Sequence, residues 1–362
     1  MIFIILKIIV ATYILWKISA SFDLAANYLT RDVGEGIKGP TINAIASSLP
    51  ELFISSMFLF YYGDIKGFSA GYATIIGSSA FNIAVIPVVS FLVVFYKRKV
   101  NSFEVDKSII KQDGLFLIGA ILLLMGALYI GRIHLYFTYA LILYYIFYVR
   151  SLYMSRKDNE SDVDKNNVVT KEESSGILLD IVNLKLFRLF SDGKVNSITS
   201  LVVIMLSVLL IGYSCDMLIT STEFISRKVG INLFFVSFFI ASIASSLPDT
   251  FLSVKDAING KFKDSFSNAY GSNMFDICIG LGLPLLIYTS MYGTIHTDFQ
   301  ITRIGFLGNS ILDGNVLIWS IILLLVLTIT TTLIYYYKQL RFRYAVLILL
   351  LYLLFMFGLI IF

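Results

Sequence analysis

The feature that most constrains the fold of this chain is a series of ten apolar stretches, each long enough to cross a lipid bilayer. An α-helix needs about 20 consecutive apolar residues to span the hydrocarbon core. Five stretches lie in the first half of the sequence, at about 1–22, 39–62, 69–96, 114–131 and 134–153, and five lie in the second, at about 198–221, 231–256, 264–290, 315–337 and 343–362. The sequence therefore predicts an all-α, polytopic membrane protein with ten transmembrane helices.

The composition agrees with a bilayer as the solvent. Hydrophobic residues make up 57% of the chain and charged residues 14%, whereas soluble domains are about one quarter charged. The net charge of +4 is small, and the basic residues lie in loops rather than along one stripe, which argues against nucleic acid as a partner. The first stretch lacks a basic start and a small-residue cleavage site, so we interpret it as a retained span. No protein partner is implied beyond the lipid bilayer itself.

The polar segment at 154–197 divides the chain into three parts. It is rich in Asp, Glu, Asn and Lys and cannot span a membrane. We predict a first five-helix repeat at 1–153, a connecting loop at 154–197 with at most a short surface helix over 177–190, and a second five-helix repeat at 198–362.

Two short motifs occur once in each half. Residues 46–51 read Ala-Ser-Ser-Leu-Pro-Glu and 244–249 read Ala-Ser-Ser-Leu-Pro-Asp, while 77–82 read Gly-Ser-Ser-Ala-Phe-Asn and 271–276 read Gly-Ser-Asn-Met-Phe-Asp. Ser245 lies 198 positions after Ser47, and Gly271 lies 194 positions after Gly77. Five spans separate equivalent residues, and because five is odd, the second half enters the membrane inverted. Inverted repeats place a substrate site near the midplane, where the halves meet.

The distribution of Lys and Arg predicts the orientation. The loops after the odd-numbered spans carry about 21 basic residues, and those after the even-numbered spans carry about five. By the positive-inside rule the connecting loop is cytoplasmic and both termini are outside. We expect a protein integral to the plasma membrane of a microbe.

The residues with the clearest chemistry follow the two prolines. Pro50 and Pro248 interrupt the backbone hydrogen bonds of a span, and the carbonyls they leave without donors are tolerated only where protein, water or an ion satisfies them. An acid inside a span is costly and is a functional-site hypothesis by default. The candidate site residues are all oxygen donors: Glu51, Asp249, Ser47, Ser48, Ser245, Ser246, Ser78, Ser272, Asn82 and Asp276. Such a set suits a hard cation such as calcium and argues against soft transition metals.

The same residue types also have structural explanations. Gly and Ser within membrane spans commonly serve helix packing alone, and a buried acid can be a hydrogen-bonded structural group. The repetition of an acid behind proline in both halves favours function for Glu51 and Asp249. Asp276 corresponds to the neutral Asn82, so a structural role for Asp276 stays open. Asp23 and Asp216 lie near span ends, where they can simply face water.

The paired, inverted motifs resemble those of the calcium/cation antiporter superfamily, and more narrowly those of its sodium/calcium exchangers. The resemblance implies that Glu51 and Asp249 bind calcium and form part of the sodium sites, with the carbonyls of Ser47 and Ser245 completing the calcium shell. It further implies that Ser48, Ser78, Ser246 and Ser272 contribute to sodium sites and that Asn82 and Asp276 line the centre. Ala46, Ser47 and Asp249 stand where many members have Gly, Thr and Glu. Asp249 together with Asp276 is similar to the potassium-dependent exchangers.

The leading hypothesis is exchange of Ca²⁺ for Na⁺ by alternating access, with no cofactor and no enzymatic activity, and with the spans at 1–22 and 198–221 as the sliding element. Proton-coupled and potassium-dependent exchange are alternatives within the class. A regulatory or channel-like cation-binding membrane protein is the alternative from another class. Residues 162–173 loosely match a twelve-residue calcium loop, although Asn167 replaces the required glycine, so a solvated linker is favoured over a calcium sensor.

Overall fold

Long helices follow the apolar stretches because hydrocarbon offers no hydrogen-bond partner, so each backbone group must be paired within its own helix. The computed structural model describes residues 1–31, 39–98, 102, 107–156, 171–297 and 316–361. The first half comprises α1 (Ile2–Leu29), a π-helical turn (Gly39–Asn43), α2 (Ala44–Ser47), α3 (Leu49–Tyr62), α4 (Asp64–Arg98), α5 (Lys107–Ile130), β1 (Arg132–Ile133) and α6 (Leu135–Arg156).

The second half repeats this order. It comprises α9 (Ser197–Val229), α10 (Leu233–Val236), a π-helical turn (Ser237–Ala241), α11 (Ser242–Ser245), α12 (Leu247–Ile258), α13 (Phe262–Phe275), a π-helical turn (Asp276–Leu281), α14 (Gly282–Tyr292), β2 (Ile295–His296), α15 (Val316–Tyr337) and α16 (Phe342–Ile361). Between the halves lie two short helices, α7 (Ile177–Val182) and α8 (Leu186–Ser191). The segment at 162–173, for which a solvated linker is favoured over a calcium loop, falls mostly outside the described residues.

The described helices confirm the predicted all-α membrane fold. Among the described residues, nine helical segments are long and apolar enough to span a membrane, and the bent pair formed by residues 40–47 and Leu49–Tyr62 brings the number to ten. The bend between the two parts of that pair is 50°. The predicted inverted repeat is consistent with this order of elements.

Contacts between loops agree with the alternation of sides along the chain. β1 follows the fourth span and pairs antiparallel with β2, which follows the eighth, so these two loops lie on the same side. Lys7 near the start of α1 donates to Thr220 near the end of α9 at 2.7 Å. The first spans of the two halves therefore pack side by side in opposite directions, as an inverted repeat requires.

Two apolar clusters divide the interior. The larger joins α4, α5, α6 and the helices from α13 to α16. The smaller surrounds α1 and α9 and also takes in α8 and part of α3. The α1–α9 pair is thus packed as a layer of its own against the rest of the bundle.

Candidate functional site

Both proline motifs lie where one helix ends and another begins. The sequence predicts a proline kink inside a span, but α2 ends at Ser47 and α3 begins at Leu49, with Pro50 in its first turn. In the second half α11 ends at Ser245, and Pro248 lies in the first turn of α12. Proline is tolerated in a first turn because the N–H it lacks has no intrahelical partner there. The helix restart, rather than a strained kink, accommodates each proline.

This arrangement directs two kinds of negative groups at one place. Pro50 and Pro248 have no N–H, so the carbonyls four residues before them, those of Ala46 and Ala244, receive no helical hydrogen bond. Glu51 and Asp249 occupy the first turns of α3 and α12. Both side chains have no exposed surface. Electron-rich oxygen therefore accumulates at a buried point, which attracts a cation.

Ser78 on α4 joins the acids of the two halves. Its hydroxyl lies 3.3 Å from Glu51 Oε1 and 3.1 Å from Asp276 Oδ2. The hydroxyl of Ser246 lies 2.9 Å from that of Ser78 and 3.4 Å from Glu51 Oε1. Residues from both repeats thus contact the same carboxylate.

Asp249 is bonded differently from Glu51. Ser272 Oγ donates to Asp249 Oδ1 at 2.7 Å, and Asn82 Nδ2 donates to Asp249 Oδ2 at 3.3 Å. Both oxygens of Asp249 therefore accept hydrogen bonds, whereas Glu51 Oε2 has no partner among the described residues. The two acids are equivalent by position but not by surroundings.

The halves also cross over one another at this centre. The Ser245 hydroxyl of the second half lies beside Glu51 of the first, and the Ser47 hydroxyl of the first half lies beside Asp249 of the second. The Ser48 hydroxyl lies beside Asp276. All ten predicted oxygen-donor residues are therefore brought together, and their role as ligands stays a prediction.

Two glycines permit this crossing. A Cβ on Gly77 would lie 2.6 Å from the Phe238 carbonyl oxygen, and one on Gly271 would collide with the backbone of Pro40. Phe238 lies 198 positions after Pro40, the same offset as between the proline motifs. The close approach is thus repeated symmetrically, and packing explains both glycines.

Several buried oxygen atoms at the centre lack donors. Glu51 Oε2, Asn82 Oδ1 and Asp276 Oδ1 have no hydrogen-bond partner among the described residues. An unsatisfied buried acceptor costs about 1–3 kcal/mol, and a hard cation is a partner that such oxygens would accept. No group of three or more His, Cys, Asp or Glu side chains in the described part of the chain has the geometry of a metal cluster. A cation bound here would therefore also use hydroxyl, amide and carbonyl oxygens, as Ca²⁺ commonly does.

The structure adds polar residues that the motifs do not include. Asn268 Nδ2 donates to Ser253 Oγ at 3.0 Å, one helical turn from the contact between Ser272 and Asp249. The signal was present in the sequence as a polar residue at every fourth position through α13 and into the π-helical turn that follows it: Asp264, Asn268, Ser272 and Asp276. Together with α12 these residues form a polar ladder, with Ser272 against Asp249, Asn268 against Ser253, and Asp264 near Asp256.

Other acids outside the motifs also prove to be engaged. The expectation that Asp23 can face water is wrong, because it is buried, accepts from Asn27 at 2.6 Å and pairs with Lys255 at 3.0 Å. Asp113 on α5 is buried and accepts from Ser267 Oγ at 2.7 Å. Neither acid belongs to the two repeated motifs, and their partners are distant in the sequence, so these contacts could be found only in the tertiary structure.

Comparison with known proteins places this geometry in context. The sequence model of the family described as "Sodium/calcium exchanger protein" matches residues 3–154 and 199–361. The crystal structure of the H⁺/Ca²⁺ exchanger CAX is similar with a TM-score of 0.68 and 15% identity, covering 99% of this chain and 86% of that one. The sodium-calcium exchanger NCX_Mj is similar with a TM-score of 0.60 and 18% identity, covering 98% and 97%.

One curated relative matches a short stretch. The inner membrane protein YrbG of Escherichia coli (strain K12) is 28% identical over 95 residues. This stretch covers 26% of the chain and 28% of the relative's own length.

Proposed function

The chain belongs to the sodium/calcium exchanger protein family, which makes it a cation/Ca²⁺ antiporter and not an enzyme, and from this premise we propose that it exchanges Ca²⁺ for Na⁺ across the membrane by alternating access. The observation that carries the proposal is a fully buried centre built from both repeats, where one oxygen each of Glu51, Asn82 and Asp276 has no partner in the described part of the chain. Glu51 and Asp249 supply the charge, and the Ser and Asn oxygens complete the ligand shell.

Charge balance explains why such a centre would exchange ions. Two carboxylates neutralise one divalent ion, or several Na⁺ ions that use the same oxygens, so the two cargoes compete. An empty centre leaves uncompensated carboxylates in a medium of low dielectric constant, which is costly. That cost opposes the conformational change of the empty carrier and couples the two fluxes.

The cytoplasmic access route in this proposal follows the polar ladder between α12 and α13. The ladder consists of three residue pairs in order: Asp249 with Ser272, Ser253 with Asn268, and Asp256 with Asp264 at the ends of the helices. The α1–α9 layer, with its own apolar cluster, is the element that slides across the centre. The termini face outside and the connecting segment faces the cytoplasm of a microbial cell, in keeping with the excess of basic residues on that side.

The experiment that tests the proposal is Ca²⁺ flux into proteoliposomes under an imposed Na⁺ gradient. Uptake should follow the gradient and vanish when Na⁺ is equal on both sides, and Glu51→Gln should abolish it. Repeating the assay with and without K⁺ tests potassium dependence. Flux that ignores Na⁺ would overturn sodium coupling, and Ca²⁺ flux that persists without any counter-ion in Glu51→Gln would favour a channel-like protein.

A second candidate is proton coupling. It is favoured by the similarity to the H⁺/Ca²⁺ exchanger CAX, whose TM-score is higher than that of NCX_Mj, and by the third buried acid, Asp276. Uptake driven by a pH gradient in Na⁺-free vesicles would support it. The same vesicles therefore distinguish the two coupling ions.

A further inference from the structure

In the segment between the two halves, apolar side chains are exposed and a carboxylate is buried, which is the reverse of a loop surrounded by water. Near the turn between α7 and α8 the open side chains are apolar, and each is at least 50% exposed: Ile177, Leu178, Leu179, Ile181, Val182 and Phe190. The carboxylate of Asp180 lies among them, yet its side chain is only 4% exposed. Apolar groups point outward here and the charge points inward.

The charges of this segment are paired with one another. Asp180 accepts from the Ser174 hydroxyl at 2.8 Å and from the Ser175 N–H at 3.0 Å. The side chains of Lys185 and Arg188 lie 3.7 and 3.6 Å from the same carboxylate. Internal pairing of this kind is what a medium of low dielectric constant demands.

The depth of the segment can be measured along α1. The ring of Trp16 stacks on Phe251 with 4.2 Å between centroids, and Phe251 is two residues from Asp249. Trp16 therefore lies at the level of the buried centre. From Trp16 to the cytoplasmic end of α1 at Leu29 the helix rises about 20 Å, which exceeds the ~15 Å thickness of half a hydrocarbon core.

The turn between α7 and α8 is attached to α1 at this same level. Tyr13 Oη donates to the Val182 carbonyl at 2.9 Å, and Lys17 Nζ donates to Asn183 Oδ1 at 2.7 Å. Tyr13 and Lys17 flank Trp16 within one turn of α1. The turn is therefore within about two helical turns, ~11 Å, of the level of the centre.

The bond from Lys17 also has an energetic reason at this depth. A lysine in the middle of a span needs polar partners, and here the Asn183 amide oxygen accepts from it while the Trp16 ring lies 4.0 Å from its Nζ atom. The connecting segment thus supplies the hydrogen bond that a mid-span lysine requires.

We propose that residues 171–196 form a re-entrant hairpin, whose tip at 177–183 is inserted among the acyl chains of the cytoplasmic leaflet and fixed to α1. The exposed polar residues lie on the two arms that lead to the tip, where the headgroups would be: Lys171, Glu173, Ser174 and Ser175 before it, and Asp192, Lys194 and Asn196 after it. The backbones of Lys171 and Lys194 join these arms in a short antiparallel bridge. Because its tip is bonded to α1, the hairpin would anchor that helix to the cytoplasmic leaflet. The insertion itself does not depend on which cation is transported, and its effect on α1 rests on the proposed sliding of that helix.

The test places a nitroxide spin label on single added cysteines in the full-length protein in lipid vesicles. The positions are Leu178→Cys at the tip, Lys194→Cys at the base and Leu353→Cys on the exposed face of α16. The native Cys215 and Cys278 are fully buried, and the parent protein carried through the same labelling measures their background. Accessibility to oxygen, which partitions into lipid, is compared with accessibility to a water-soluble nickel chelate.

The expected result is an oxygen-to-nickel ratio at position 178 that matches position 353 and is several-fold above position 194. A ratio at 178 like that at 194 would place the tip in water and overturn the proposal. Protection from both reagents, with spin–spin broadening relieved by unlabelled protein, would mean that a second copy covers the tip, which would also overturn it. Ile181→Cys repeats the measurement should Leu178→Cys fold poorly.

Discussion

The α3–α4 pair and the α12–α13 pair occupy equivalent places in the two halves, but they differ sharply away from the centre. Next to the acids they match, because Ser78 contacts Glu51 as Ser272 contacts Asp249. Further along, the positions of Asp256 and Asp264 in the second half are taken by Phe58 and Ala70 in the first, both fully buried. The two halves carry corresponding residues where the ion would bind and different residues farther from that centre.

The difference indicates that packing of the two halves and polar lining of an ion route place separate requirements on the sequence. Crossing of the halves requires small residues at both symmetric contacts, and both are present. A route for ions requires polar lining only on the side that is being made accessible. In the described residues the row of polar side chains ends in Asp256 and Asp264 in the second half, and the corresponding positions of the first half are apolar.

The largest expected effect is at the buried centre, where the comparison predicts that substitutions of Glu51 and Asp249 reduce exchange equally. Glu51→Gln and Asp249→Asn should each reduce Ca²⁺ exchange by roughly 100-fold or more, because removing one charge from a buried ionic set costs about 3–5 kcal/mol and 1.4 kcal/mol is a factor of about ten. Initial rates of Ca²⁺ uptake in proteoliposomes measure this. Asp192→Asn, on an exposed side chain, is the matched control, and a variant at either acid with normal uptake would contradict equivalence.

The next test concerns the symmetric glycines. Gly77→Ala and Gly271→Ala should each destabilise the protein by about 1–3 kcal/mol, since the new methyl group meets backbone that cannot move aside. Thermal unfolding in detergent checks both. Gly126→Ala is the control, because nothing lies within 4 Å of its added Cβ, and it should be neutral or stabilising by up to ~1 kcal/mol. Unequal losses at the two sites would show that the halves do not pack equivalently.

A third test exchanges the residues that break the symmetry at the centre. Asp276→Asn removes a negative charge and Asn82→Asp adds one. If each change in the number of charges costs about 1.4 kcal/mol in the free energy of exchange, each variant should lower Ca²⁺ exchange about tenfold. The double variant keeps the number of carboxylates at three and should recover part of the lost rate. Such recovery is a non-additive coupling, as expected for groups that share one site. Strictly additive losses would mean that the position of each charge matters more than their sum.

The sequence was sufficient for the parts of the molecule that the bilayer dictates. Ten spans follow from apolar length, and the two repeated motifs point to the candidate residues that the fold brings together, whose role as ligands stays a prediction. The helix restart at Ser48 was not foreseen, because a proline signals an interruption but not whether the chain bends or begins a new helix. The pairing of Asp23 with Lys255 and the hydrogen bond from Lys17 to Asn183 join residues more than 160 positions apart. No local pattern encodes such contacts.

The smallest expected effect lies on the two routes, where the comparison predicts inequality. Asn268→Leu removes the amide that bonds Ser253 while nearly preserving volume, so it should slow exchange several-fold by making the cytoplasmic route less polar. Thr74→Val is the matched change in the first half, where the hydroxyl bonds only the Ala70 carbonyl of its own helix among the described contacts, and it should leave the rate unchanged. Uptake measured over a range of Ca²⁺ concentrations should show a lower maximal rate at position 268 with unchanged half-saturation, because Asn268 lies a turn away from the ligands. Equal effects at the two positions would mean that both routes are used alike, and a changed half-saturation would place Asn268 within the binding centre itself.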